Sequence, residues 1–331
     1  MSSLTLRILP NIILFMVMFS AAVGVALRQG EGMAQGWQVP YASKATDGVW
    51  SLLLYDVDRR LTLELQVDAV MRNPPLLSPD QRFVVWSDLQ DLVLYDRETH
   101  TQSSIPGGML AQSWSPDSRH LIYTDGNINP MIVTIDDSGD VVEQNLIPLD
   151  ESEDFSFMSW SPDSTQLALM VLSMMRSDMV IIDWRSGERL NITENAPGYY
   201  LAPAWSVDGE SLAYVSETSL YLYPPNDGSI NGFVIDGLPD AVSGLYWSPD
   251  GTQLAVVESP AQSRLYIVDM QTETLRGPLD LGLGVRGVRW SPDGERLIFI
   301  SARDSDLYTM TAEGRFPRRL TDTRNLNVLM P

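Results

Sequence analysis

The chain has 331 residues, no cysteine, and 43 acidic against 22 basic residues, for a net charge of −21. The missing cysteine excludes thiol catalysis, disulfides, cysteine-based zinc sites and a lipoprotein anchor, and the charge argues against nucleic acid or an anionic membrane as the main ligand. With 44% hydrophobic and 20% charged residues, the composition is that of a globular protein with room for one large closed domain.

The first element is the apolar run ILPNIILFMVMFSAAVGVAL, Ile8 to Leu27, flanked by Arg7 and Arg28. As a helix rising ~1.5 Å per residue it spans roughly 30 Å, the thickness of a hydrocarbon core. Pro10 and Asn11 weaken its first turn. Residues 1–28 therefore read as a membrane anchor, with a cleaved signal peptide as the alternative. Small residues at Ala22/Gly24, Gly24/Ala26 or Gly32/Ala34 suit a cleavage site. Either reading places the rest of the chain outside the cytoplasm, in the periplasm or at the cell surface. Residues 29–35 read as a flexible linker and residues 36–331 as one all-β domain.

That domain opens with three strand-like stretches: GWQVPYAS (Gly36 to Ser43), VWSLLLYD (Val49 to Asp56) and RLTLEL (Arg60 to Leu65). A tight-turn motif then recurs six times. It reads LSPDQ with Ser78, WSPDS with Ser115 and Ser161, WSVDG with Ser206, and WSPDG with Ser248 and Ser291. Proline presets φ in such a turn, aspartate bonds to its own backbone, and glycine accepts the left-handed conformation. The serines are spaced 37, 46, 45, 42 and 43 residues apart. Each motif divides a first strand from a second. A third strand follows, as in DLVLYD (Asp91 to Asp96), MVIIDW (Met179 to Trp184), RLYIVD (Arg264 to Asp269) and DLYTMT (Asp306 to Thr311), then an outer segment such as RLNIT (Arg189 to Thr193) or RRLT (Arg318 to Thr321). Four short antiparallel strands per ~40–45 residues make one propeller blade.

The turn motif followed by xxL and LYxxD resembles the TolB-type β-propeller repeat, a WD-repeat-like family, over about Gly36 to Pro331. It is similar as well to the propeller of prolyl-oligopeptidase-type peptidases. The resemblance implies a single β-propeller, and a function among protein-interaction platforms, peptidase gates, and sugar or lactone enzymes. Six motifs imply six complete blades. The C-terminal NLNVLMP (Asn325 to Pro331) stands where a first strand is due, so a seventh blade of three N-terminal strands and one C-terminal strand is expected. Pro40 counts against an interior strand there, and six blades with an irregular N-terminal extension is the alternative.

The repeated Asp80, Asp117, Asp163, Asp208, Asp250 and Asp293 read as turn formers, since catalysis calls for asymmetry between blades. The repeated Trp114, Trp160, Trp205, Trp247 and Trp290 read as packing between blades. A serine triad needs a histidine base, and the chain offers only His100, in a turn of the first blade, and His120, at a position expected to be solvated or at a strand edge. No G-x-S-x-G elbow is present. DDSGD (Asp136 to Asp140) and RDSD (Arg303 to Asp306) place carboxylates at short spacing, but neither fits a calcium loop with its terminal glutamate. DESED (Asp150 to Asp154) reads as a solvated loop, and NIT (Asn191 to Thr193) matches a glycosylation sequon. The expected protein is a non-catalytic propeller without cofactor that binds a protein partner or ligand. The alternatives are a central-channel enzyme, such as a metal-dependent lactonase or hydrolase, and an accessory propeller of a peptidase-like system.

Overall fold

The computed structural model of the protein describes residues 37–330, apart from 68–69, 72, 89, 150–152, 174–175, 194–199, 224–234, 259–262, 280 and 324. The anchor and linker expected over 1–35 lie outside the described residues. Every regular element within them is a strand, so none is a helix long and apolar enough to cross a membrane.

The strands form seven antiparallel sheets. Blades 1 to 6 follow one another along the chain, over 76–105, 108–146, 154–191, 200–223, 242–276 and 285–319. Five of these have four described strands. In blade 4 three are described, and a single bridge between Leu220 and Ile235 continues the sheet. The first strands of blades 2 to 6 all carry a register shift against their second strands, as between Leu201 and Ala204 or Arg286 and Val288. Such bulges bend a strand and increase its local twist.

Blade 7 joins the two ends of the chain. Its strands are Leu326–Leu329, Gln38–Lys44, Trp50–Asp56 and Leu61–Glu64, in that order. Tyr41 lies opposite Leu329 and Lys44 opposite Leu326. The expected seventh blade is therefore present, and the six-blade alternative is not.

Pro40 is accommodated by its position in the register. Its carbonyl accepts from Met330 N (3.1 Å), where the C-terminal strand runs out. A proline cannot return the second bond of such a pair, because it has no N–H. Arg289 Nη1 donates to the Met330 carbonyl instead, at 3.0 Å. Burial lowers the pKa of this arginine to about 10, so the cation still persists at neutral pH.

The core is divided into seven slabs, one at each boundary between blades, as the stacking of sheet on sheet requires. The slab between blades 6 and 7 contains Trp37, Val39, Tyr41 and Tyr55 against Ile298, Ile300 and Leu307. The slab between blades 7 and 1 sets Ala42, Trp50, Leu52 and Met330 against Leu77, Val84 and Trp86. Five further slabs join the remaining neighbours. No blade completes a core alone, because every slab draws on two sheets.

Candidate functional site

The register fixes two unlike faces of the ring. Gln253, just after a Ser-Pro-Asp-Gly turn, lies opposite Asp269, just before the turn from third to fourth strand. Both kinds of turn therefore share one face, the turn face. Connections from second to third strand, and from blade to blade, share the other, the loop face.

On the turn face the six repeats close the same hydrogen-bonded ring. The serine hydroxyl donates to the aspartate two residues on: Ser78 to Asp80 (2.6 Å), Ser115 to Asp117 (2.5 Å), Ser161 to Asp163 (2.6 Å), Ser206 to Asp208 (2.5 Å), Ser248 to Asp250 (2.6 Å) and Ser291 to Asp293. Each aspartate also accepts a backbone N–H two residues further along. Each serine oxygen in turn accepts the N–H of the residue that opens or precedes the second strand. The residue after the aspartate has positive φ in all six: Gln81, Ser118, Ser164, Gly209, Gly251 and Gly294. Glycine suits that conformation. Where serine replaces it, the hydroxyl serves a neighbour: Asp80 N donates to Ser118 Oγ (3.0 Å) and Asp117 N to Ser164 Oγ (3.1 Å), each across a blade boundary.

The five tryptophans before these serines are all buried, and each packs on the preceding blade. Trp114 stacks on Phe83, with ring centroids 6.0 Å apart. Trp247 Nε1 donates to the Ala204 carbonyl (3.1 Å) and Trp290 Nε1 to the Tyr246 carbonyl (2.9 Å). Leu77 takes the corresponding place in blade 1 and is 1% exposed.

Four turn carboxylates, Asp163, Asp208, Asp250 and Asp293, have lowered pKa values. For Asp208 and Asp293 the serine hydroxyl bond is the largest cause. For Asp163 and Asp250 burial is the largest single influence and acts upward, and the serine, threonine and backbone bonds together outweigh it. Folded values below the unfolded ~3.9 give stability that is present above about pH 4 and is lost as pH falls through the folded values. The melting temperature is expected to fall steeply below about pH 4. Asp250→Asn should flatten that fall, and an unchanged acid limb in this variant would show that the turns do not cause it.

His120 opens the strand His120–Asp125, and its side chain is not solvated. It is 3% exposed, because the neighbouring blade covers it: its ring lies 4.6 Å from Trp184 and 6.3 Å from Trp160. Nδ1 is 3.1 Å from Thr134 Oγ1, and Nε2 is 3.4 Å from Arg185 Nη2 and 3.6 Å from Asp117 Oδ2. Burial is the main cause of its lowered pKa, partly offset by Asp117. As a neutral buried histidine it adds a shallow loss of stability as pH falls below ~6.5. His100 is exposed in the turn after the third strand of blade 1, with Nδ1 2.9 Å from the Tyr95 hydroxyl. Neither histidine has a serine hydroxyl among these close contacts.

In DDSGD, Asp136 Oδ1 accepts from Ser138 N and Asp140 N, both at 2.9 Å, and Asp137 Oδ1 accepts from Arg119 Nη2. Among the described residues no group of three or more His, Asp or Glu is placed to hold a metal ion. In the sequon, Asn191 Oδ1 accepts from Thr193 N (3.0 Å), and the Thr193 hydroxyl is buried.

The loop face carries two features that motif reading did not identify. The first is a polar knot at Asp306, which is fully buried. Its Oδ1 accepts from Thr321 Oγ1 (2.7 Å), Thr323 N (3.0 Å) and Thr323 Oγ1 (3.2 Å), and its Oδ2 from Arg319 Nε (3.2 Å) and Nη2. Asn327 Nδ2 extends the knot to Ser305 O (2.7 Å) and Thr323 Oγ1 (2.9 Å). The signal in the sequence is the pairing of Asp306 with RRLT, which Asp178 repeats with NIT: Thr193 Oγ1 donates to Asp178 Oδ1 at 3.4 Å.

The second is a cleft of about 310 Å³ between blades 5 and 6, lined by Arg264, Pro278, Leu279, Leu281, Leu283 and Val285 among others. Its walls are tied to both blades, by Leu279 N to Leu265 O (2.8 Å), Val285 N to Ser263 O (2.6 Å) and Arg303 N to Leu283 O (3.2 Å). Gly284 has φ of 65°, and a Cβ there would stand 2.9 Å from Ala302 Cβ. At the rim Arg264 Nη2 bonds Glu258 Oε1 (2.7 Å), which is 5% exposed. Such an arrangement can hold an apolar group beside a fixed ion pair.

No family model matches the chain, and no curated protein matches it. Solved structures are similar to it in fold. An oligogalacturonate lyase in complex with manganese aligns with TM-score 0.63 and 19% identity, over 83% of this chain and 85% of that one. A putative 6-phosphogluconolactonase from Bacteroides fragilis NCTC 9343 aligns with TM-score 0.61 and 15% identity, over 91% and 97%. The β-propeller domain of the trilobed protease from Pyrococcus furiosus, which has an open velcro topology, aligns with TM-score 0.60 and 17% identity, over 87% and 96%. Likeness at these identities extends to the fold and no further: the chain is a seven-bladed β-propeller.

Proposed function

We propose that this chain is a non-catalytic propeller of the TolB type, tethered or exported through residues 8–27 and working outside the cytoplasm as a binding platform for a protein or ligand. The cleft between blades 5 and 6 carries this reading. It is apolar, of a size for one bulky side chain or small ligand, and walled by backbone fixed to two blades. The repeated aspartates and tryptophans support it as structural groups, since the hydrogen bonds and packing described above engage them.

The test has two arms. Purified protein should release no unsaturated sugar from oligogalacturonate and hydrolyse no lactone above the buffer rate, with or without added Mn²⁺. An apolar fluorescent probe such as anilinonaphthalene sulfonate should bind the folded protein, and Leu281→Glu should reduce that binding several-fold without lowering the melting temperature. Turnover of either substrate that one channel substitution abolishes would replace the platform with an enzyme.

A further inference from the structure

We infer that the turn face points toward the membrane and that the loop face, with the cleft between blades 5 and 6, points away from it into the compartment. This rests on the reading of residues 8–27 as an uncleaved anchor.

Trp37 is the first described residue. It precedes Gln38–Lys44, the second strand of blade 7, and second strands run from the turn face to the loop face. Gln38 accordingly lies opposite Asp56, beside the turn from third to fourth strand. Contacts fix Trp37 there. Its N–H donates to Asp58 Oδ2 (3.0 Å), its carbonyl accepts from Val57 N (2.9 Å), and the Arg296 guanidinium lies 5.2 Å from its ring centroid. The ring itself is 9% exposed, in the slab between blades 6 and 7. The chain thus leaves the propeller on the turn face from a packed position.

The tether is short. Nine residues separate Leu27 from Trp37, so at ~3.5 Å per residue their fully extended reach is at most roughly 35 Å. To bring the loop face to the bilayer, the tether would have to pass outward over two strands and then climb the full length of a strand. At ~4.8 Å between strands and ~3.3 Å per residue along them, that path uses roughly 30 Å. It would leave almost nothing to reach the lipid.

The charge on the turn face sets how the propeller stands over the bilayer. Besides the six turn aspartates, five turns from third to fourth strand open with Asp56, Asp96, Asp136, Asp183 and Asp269. A face so acidic is repelled by anionic headgroups. The repulsion decays over ~8 Å at physiological salt, well within the tether's span. The turn face therefore stands off the lipid, and the loop face meets partners that arrive through solvent.

The natural absence of cysteine makes the test direct. Gln271→Cys and Asp240→Cys place one thiol on the turn face and one on the loop face of blade 5, both at exposed positions. Each full-length variant is labelled with a donor dye and reconstituted into large phosphatidylcholine vesicles containing an acceptor-labelled lipid. The donor at position 271 should transfer energy severalfold more efficiently than the donor at 240. Equal or reversed transfer, in protein that floats with the vesicles, would overturn the orientation and leave the anchor standing. Failure of the full chain to float with the vesicles would overturn the anchor and the orientation together.

Discussion

Removing Asn325 to Pro331 is expected to lower the melting temperature by ~10 °C or more and to end the cooperativity of a closed ring. The deletion removes the whole first strand of blade 7 and exposes the edge of Gln38–Lys44. It takes Met330, which is 2% exposed, and the partly buried Leu326 and Val328 from the slab between blades 7 and 1. At roughly 1.5–3 kcal/mol for each fully buried aliphatic side chain, and less for those partly covered, the loss is on the order of 5 kcal/mol. A domain of 150–250 residues loses about 2–4 °C per kcal/mol, which sets the expected shift. Arg289 also loses its carbonyl acceptor, and the opened edge invites association between chains. Differential scanning calorimetry decides the matter: a truncated protein that melts like the full chain would show that this strand does not hold the ring.

The second large effect is expected at Asp306. Asp306→Ala removes the acceptor of two threonine hydroxyls, a backbone N–H and the Arg319 guanidinium in one step. Losing a fully buried carboxylate of this kind costs about 3 kcal/mol, mostly through the donors left without an acceptor. Asp306→Asn keeps an oxygen for the threonines and loses the ionic bond, so about half that cost is expected. The knot holds residues 320–323 just before the closing strand. Hydrogen exchange at Leu326–Leu329 should therefore accelerate in Asp306→Ala by a larger factor than exchange in blade 3. Uniform acceleration around the ring would mean that Asp306 acts only on global stability.

Much of the fold was legible because its signals are local. A Ser-Pro-Asp-Gly turn specifies its own hydrogen bonds within five residues, and six copies at near-constant spacing reveal the architecture without any tertiary information. The closing blade was legible in the same way: three strand-like stretches precede the first turn motif, and Asn325 to Pro331 stands where a first strand is due. Pro40 counted against the first of those stretches because the objection to an interior proline concerns its missing donor. The donor here comes from Arg289, 249 positions away in the sequence, which no local rule anticipates. The burial of His120 depends on Trp160 and Trp184 of the next blade. The cleft combines residues 263–264 with 278–279 and 281–285, stretches without any shared motif. Features that a neighbouring blade completes were hidden, and the candidate site is one of them.

The way the ring closes also governs when the protein can become native. Asn325 Nδ2 bonds Ser43 Oγ across 282 residues of chain, and joining ends so far apart costs about 5 kcal/mol of chain entropy beyond a length-independent constant. Six blades can stack in order as they emerge from the ribosome or a translocation channel. The seventh waits for the final residues. Until then the side of blade 7 that faces blade 6, including Val39, Tyr41 and Tyr55, has no cover, and a nascent chain is open to aggregation or holdase capture until blade 6 arrives. For this propeller, the ring closes only once Leu326–Leu329 has been made and can pair with Gln38–Lys44.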